Sequence, residues 1–362
     1  MNPIELATAA KSASDAIAHT PTAVKNKALL ELERLLDEQK DVLFEANEKD
    51  IAAARTAGLA PSLIERLRID EKVLGEMRAS LRDVAALPDP VGEIVKTWKR
   101  PNDLLVGKMR IPIGVILIIF ESRPNVTIEA FSLCLKSGNC AILKGGKEAI
   151  NSNTALFALI TKALTRAGIP ETACRLVETS DRSYLYDLFK MEEYIDLVIP
   201  RGGEELIRNV VEQSRIPVLK HYKGVCSIFV DQWIDIDMAL TVCVNAKAQK
   251  PATCNAMETL LVHEAVAPRF IPELAKAMDK AGVHLRGCDK TMVLAPASQR
   301  AGESDWYAEY LDLVLNVKVV HDINEAIAHI RKYGSCHTDA IITEKYDNAW
   351  KFVREINSSL VL

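Results

Sequence analysis

Apolar residues in the first ninety positions recur at three- and four-residue steps: Ala28, Leu29, Leu32, Leu35, Leu36 and Leu43, then Leu63, Ile64, Leu67, Val73, Met77, Leu81 and Val84. That period belongs to amphipathic helices, so a helical layer is predicted to open the chain. Thr20 before Pro21 reads as a cap followed by a first-turn proline, and Gly58 as a helix stop. The turn cluster Pro88-Asp89-Pro90-Val91-Gly92-Glu93 breaks this pattern. Beyond it, residues 104–110 and 113–120 read as extended stretches punctuated by Pro112 and Gly114.

The pattern then alternates. Strands are predicted at 140–143, 174–178 and 195–199, separated by helices near 126–136, 151–166, 183–190 and 203–213. A second set has strands at 227–230, 259–262, 313–320 and 340–343, with helices at 236–249, 266–281, 323–332 and 346–356. Such alternation implies βαβ units and parallel sheets. The fold class is therefore α/β, with two doubly wound domains meeting near residue 225.

Composition narrows the field. A chain of 362 residues exceeds the roughly 100–200 residues of one domain, and 49% hydrophobic with 26% charged residues is an ordinary globular balance. Lys and Arg number 45 against 49 acids, a net charge of -4, and no basic run creates a local footprint for nucleic acid. The longest apolar run, 111–120, is half of the roughly twenty residues that a bilayer span needs, so no membrane partner is expected. The segment MNPIELATAAKSASDAIAHT carries Glu5 and Asp15 and has no apolar core, unlike a signal or transit peptide, which suggests a cytoplasmic protein. The eight cysteines are scattered without zinc spacing, so no metal site is expected and most should be reduced and buried.

Chemistry is sought first in loops that follow strands, where open parallel sheets bind ligands. Lys144-Gly145-Gly146-Lys147 and Arg201-Gly202-Gly203 each follow a predicted strand. Missing side chains there let backbone N–H groups approach a phosphate, with help from a helix N-terminus. The plain alternative is a common strand-to-helix turn, since neither loop is a dinucleotide fingerprint or a Walker loop. Cys254 lies in a polar link, Lys250-Pro251-Ala252-Thr253-Cys254-Asn255-Ala256, before an apolar strand. A helical turn opening there would favour its thiolate; the plain alternative is a core cysteine. Glu121-Ser122-Arg123-Pro124-Asn125 ends the long apolar run. Arg123 suits a carboxylate or phosphate and the Asn125 amide suits an oxyanion, or else the segment is a helix cap with a surface ion pair. His221 and His337 are weaker candidates.

Taken together, IPIGVILIIFESRPNVTIEA (111–130), LKSGNCAILKGGKEA (135–149), YIDLVIPRGG (194–203), IPVLKHYKGVCSIFVD (216–231), CNAMETLLVH (254–263) and HTDAIITE (337–344) resemble, in order, the gamma-glutamyl phosphate reductases, a branch of the aldehyde dehydrogenase superfamily. The resemblance implies an aldehyde dehydrogenase-like fold. Residues 1–93 and 113–225 would form the dinucleotide-binding domain, 94–112 an extended oligomerisation arm and 226–362 the catalytic domain. It implies NADPH-dependent reduction of L-glutamyl 5-phosphate to L-glutamate 5-semialdehyde and phosphate, in proline biosynthesis. Cys254 matches the family nucleophile.

Lys144 to Lys147 and Arg201 to Gly203 fall on the cofactor loops, Lys147 hints at a 2′-phosphate, and Glu309 falls where relatives hold the nicotinamide ribose. The oxyanion donor is Asn125 or Arg123, and Arg123 and His221 are candidate substrate contacts. A homo-oligomer and an association with glutamate 5-kinase follow from the same resemblance. Where hydrolytic aldehyde dehydrogenases carry a glutamate that activates water, this chain has His221-Tyr222-Lys223-Gly224, which suits a reductase. The family's further C-terminal segment, with a strand that partners the arm, does not follow Leu362. The alternative is thus a C-terminally truncated, catalytically inactive dinucleotide-binding remnant.

Overall fold

The computed structural model describes residues 1–220 and 223–362. Two compact units are present, Met1–Lys220 and His221–Leu362. The first opens with α1 (Pro3–Ala18), α2 (Thr22–Glu38), α3 (Lys40–Thr56), α4 (Pro61–Leu67) and α5 (Glu71–Ala86). Asn2 and Asp70 accept hydrogen bonds from first-turn N–H groups of α1 and α5. Thr20 does not cap α2. Pro21 takes that position, and the Thr20 hydroxyl donates back to Ala16, because a side chain one residue further out can reach the preceding helix instead. Gly58 ends α3 as expected, at φ +71.

Strands β1 (Ile94–Lys99) and β2 (Leu105–Met109) form an antiparallel ribbon of their own. Ile94, Leu104, Leu105, Met109 and Ile111 on and beside it are exposed.

The core of this unit is β3 (Val115–Phe120), α6 (Asn125–Lys136), β4 (Cys140–Lys144), α7 (Ile150–Ala167), β5 (Cys174–Leu176), α8 (Arg182–Leu188), β6 (Leu197–Arg201) and α9 (Glu204–Gln213). The four strands are parallel in the order β5-β4-β3-β6. Every residue of β3 and β4 is buried, as expected of central strands covered on both faces. The chain runs from β3 outward through β4 to β5, then returns to place β6 on the other side of β3. The order reverses there, opening a crevice beyond the carboxyl ends of β3 and β6.

The second unit contains β7 (Cys226–Val230), α10 (Ile236–Ala248), β8 (Met257–His263), α11 (Ala267–Lys280), β9 (His284–Gly287), α12 (Asp289–Leu294), β10 (Gln299–Arg300), β11 (Val314–Val320), α13 (Ile323–Tyr333), β12 (Thr338–Ile342), α14 (Tyr346–Glu355) and β13 (Leu360–Val361). Its seven strands are parallel, in the order β10-β9-β11-β8-β7-β12-β13. Alternate residues of β7 serve opposite faces: Ile228 and Val230 join the core that includes Phe270 and Leu274 of α11, whereas Phe229 joins Ile327 of α13 and Phe352 of α14. Helices thus cover both faces.

The pair β9 and β10 with α12 was not expected from the sequence. β9 is four residues long and carries His284 and Arg286 close to the sheet edge, so no apolar run announces it. Among the described residues no helix is long and apolar enough to cross a membrane.

Candidate active site

In Met1–Lys220 the crevice is bordered by the loops after β3, β4 and β6. Glu121, the first residue beyond β3, reaches across to the start of α9, where its Oε1 accepts the Gly203 N–H at 2.8 Å. A Cβ on Gly202 would lie 2.7 Å from that oxygen and 2.8 Å from Leu206, so a side chain there would close the approach. The glycine pair leaves room at the positive end of α9, where the Glu121 carboxylate takes the Gly203 N–H. Arg201, Gly202 and Gly203 are exposed.

After β4, Gly145 is buried beside the Asn153 amide and Gly146 lies beside the Ser122 hydroxyl. Ser122 in turn donates to Glu148. Asp50 of α3 secures the loop from below. It accepts from the backbone N–H of Asn151 and Ser152 and from the Ser152 hydroxyl, capping α7. Lys144 is buried, which pushes its ammonium below the ordinary lysine range against the pull of Glu148, and its Nζ donates to the Gly145 carbonyl at 2.8 Å. Lys147 is exposed and makes no side-chain hydrogen bond or ion pair among the described residues.

Next to Glu121 and Gly203 lies a cleft of about 390 Å³ between α8 and α9. Leu185, Tyr186, Leu206 and Val210 form its apolar walls, and Arg182 and Asn209 supply polar edges. The sequence reading found the glycine loops but not this cleft. Its only local signal is an amphipathic pair of helices flanking the last strand, and that is a general core pattern.

Arg123 and Asn125 sit beyond β3. Asn125 is the first residue of α6, with Pro124 in the cap position, and its amide donates to Glu129 at 3.0 Å. Arg123 is exposed, with a guanidinium that has no partner among the described residues. His221 lies outside the described residues.

In His221–Leu362 the candidate residues gather in loops that precede strands, as the links before predicted strands that hold Cys254 and His337 imply. Cys254 is exposed, in the loop between α10 and β8. No helix opens at Cys254. Thr253 N–H donates to Lys250 and Ala256 N–H to Thr253, closing successive turns, because the segment runs directly into β8. The Cys226 thiol donates to the Cys254 carbonyl at 3.3 Å. Gly224 packs so closely that a Cβ would lie 1.9 Å from the Cys254 carbonyl oxygen. Glu309 is half-buried in the approach to β11, and its Oε1 accepts the Gly224 N–H at 2.8 Å.

Cys254, Gly224 and Glu309 thus form one cluster. His337 Nδ1 stands 2.7 Å from the Thr338 hydroxyl and 3.6 Å from the Cys226 sulfur. Sequence reasoning missed Cys226 and Gly224 as neighbours of Cys254, since they are brought there only by the pairing of β7 with β8.

Of the other seven cysteines five are buried as expected, Cys288 is half-buried and Cys336 is exposed. Desolvation pushes the Cys134, Cys140, Cys226 and Cys243 thiols up to about 12, and Cys174 well above its ordinary value. Cys336, expected to be buried, is exposed at φ +58 because it turns the chain into β12. Iodoacetamide at mildly alkaline pH should therefore label Cys254 and Cys336 in the native protein. The five buried thiols should react only after denaturation. Peptide mass spectrometry reads the pattern, and native labelling of Cys226 would contradict the packing described. Among the described residues no cluster of His, Cys, Asp or Glu could hold a metal ion.

One unit carries glycine turns beside a cleft and the other an exposed thiol, each unit built on a parallel sheet. The model of the aldehyde dehydrogenase family matches residues 4–312. Gamma-glutamyl phosphate reductase from Desulfatibacillum aliphaticivorans is 52% identical over 359 residues, covering 99% of this chain and 86% of that one. The enzyme of the same name from Thermodesulfovibrio yellowstonii is 52% identical, covering 97% and 84%. The crystal structure of gamma-glutamyl phosphate reductase from Thermotoga maritima superposes with a TM-score of 0.94 at 44% identity, covering 100% of this chain and 87% of that chain. The chain belongs to the aldehyde dehydrogenase family, on its gamma-glutamyl phosphate reductase branch.

Proposed function

We propose that this chain reduces L-glutamyl 5-phosphate to L-glutamate 5-semialdehyde with release of phosphate, a step of proline biosynthesis, and that NADPH is the reductant. The observation that carries this reading is the exposed Cys254, whose loop packs against the Gly224 that Glu309 holds, in a family whose named relatives share half of the sequence. The Cys254 thiolate attacks the acyl carbon, the carbon–oxygen bond to phosphate breaks, and a thioester remains on the sulfur. When bound, the reduced nicotinamide supplies the hydride that turns this thioester into a thiohemiacetal. Cleavage of the carbon–sulfur bond then frees the aldehyde and returns the thiol. Either Asn125 or Arg123 would donate to the acyl oxygen: Arg123 has no side-chain partner among the described residues, and the Asn125 amide keeps a second N–H beyond the one it gives to Glu129.

The residues present fit a dinucleotide. The cleft between α8 and α9 lies within the ~300–1,000 Å³ typical of small-molecule sites and offers apolar walls to a flat base. The start of α9 suits the diphosphate once the Glu121 carboxylate turns away from the Gly203 N–H, Lys144 and Glu309 suit the two riboses, and Lys147, unpaired among the described residues, supports a 2′-phosphate. The exposed apolar residues of the β1–β2 ribbon support self-association.

Replacing the exposed Asn209 by Trp fills the cleft without touching the core, so Asn209→Trp should weaken dinucleotide affinity roughly 10-fold or more with an unchanged circular dichroism spectrum. Fluorescence titration checks this. The function itself is tested in reverse, with L-glutamate 5-semialdehyde, phosphate and NADP. Phosphate-dependent formation of NADPH is the expected result. Phosphate-independent oxidation would identify an ordinary aldehyde dehydrogenase, and cofactor binding without turnover a catalytically inactive remnant.

A further inference from the structure

The second unit holds an ion pair that the chemistry above does not use. Lys247 of α10 and Glu258 of β8 are both fully buried, with Nζ 2.8 Å from Oε2. They bracket the loop that carries Cys254. The other oxygen of Glu258 accepts the Leu311 N–H at 3.3 Å, and the carboxylate is also bonded by the backbone of Tyr310. Leu311 adopts φ +53, a left-handed conformation that costs a branched residue energy and persists only where its surroundings enforce it. Two residues earlier, Glu309 is bonded to Gly224, which packs against the Cys254 carbonyl. The contacts close a ring: Cys254 to Gly224, Gly224 to Glu309, along the chain to Leu311, from Leu311 to Glu258, and four residues back to Cys254.

We infer that Lys247 and Glu258 are positioning residues, a buried clamp that sets the nucleophile loop and the Glu309 loop in register with each other. The inference rests on the assignment of Cys254 and Glu309 proposed above. A buried ion pair replaced by apolar side chains of similar volume often leaves stability unchanged, which separates positioning from structural support. The protein carrying Lys247→Met with Glu258→Leu keeps the packing but has no acceptor for the Leu311 N–H. The protein carrying Lys247→Met with Glu258→Gln loses both charges but keeps that acceptor.

The first double variant should still unfold cooperatively, at a urea concentration lowered only by the loss of the Leu311 and Tyr310 backbone bonds. Its kcat/KM should fall at least 10-fold, with a raised KM for NADPH and a changed rate of Cys254 alkylation by iodoacetamide. The glutamine variant should recover most of each. Unaltered kinetics and alkylation in the leucine variant would overturn the clamp, as would a folded glutamine variant no better than it. Should the leucine variant not fold, amide hydrogen exchange of the unaltered chain decides. Leu311 N–H protected as strongly as β8 supports the clamp, and exchange at the rate of an exposed loop refutes it. If Cys254→Ser leaves turnover intact, the functional reading fails first. If Cys254→Ser is inactive while the leucine variant is fully active, only the clamp fails.

Discussion

Cys254→Ser is expected to lower NADPH-dependent turnover by roughly 10⁴-fold or more while leaving dinucleotide affinity within about twofold. A serine hydroxyl stays protonated at neutral pH and is a far weaker nucleophile than a thiolate, so no acyl intermediate accumulates. Affinity is preserved because serine matches cysteine in size and the exchange alters none of the proposed dinucleotide contacts. Single-turnover kinetics and a fluorescence titration give the two numbers separately. Loss of cofactor binding in this variant would mark Cys254 as a structural cysteine.

Gly224→Ala should produce the second large effect, a fall in kcat of about 10²-fold, because a displacement of about 1 Å at a reacting group can cost that much. The new methyl group would stand 1.9 Å from the Cys254 carbonyl oxygen and 2.8 Å from Glu309 Oε1. The first of these is backbone, so the nucleophile loop itself must shift. Overpacking of this kind also costs about 1–3 kcal/mol of stability, visible as a lower urea midpoint. Gly75 serves as the control. It lies inside α5 with nothing within 4 Å of the place a methyl group would take, so Gly75→Ala should stabilise the protein by about 0.5–1 kcal/mol and leave kcat unchanged. An active Gly224→Ala protein with normal KM would show that the Cys254 carbonyl is free to relax without consequence.

Much of this architecture is legible in the order of residue types. The continuous run Val115 to Phe120 reads as a strand buried on both faces, and the amphipathic period of α2 predicts the buried stripe Leu29, Leu32, Leu35 and Leu36. Glycine pairs placed directly after β4 and β6 are visible as candidate phosphate loops because their chemistry is local: a turn, a missing side chain and a helix start. Short edge elements escape because nothing about them is local. β9 and β10 carry polar residues, and their pairing with each other and with β11 is a property of the sheet rather than of either segment.

The amino-acid sequence by itself determined the α/β class, the helical opening layer, the two glycine turns and a thiol in a polar link, since each depends on neighbours a few positions away. Only the tertiary structure decided that α8 and α9 enclose a cleft, and that Glu258 meets Leu311 across 53 positions and Gly224 meets Glu309 across 85. Those encounters follow from strand order, and hydrophobic periodicity, which reports which face of an element is buried, carries no information about which strand lies beside it.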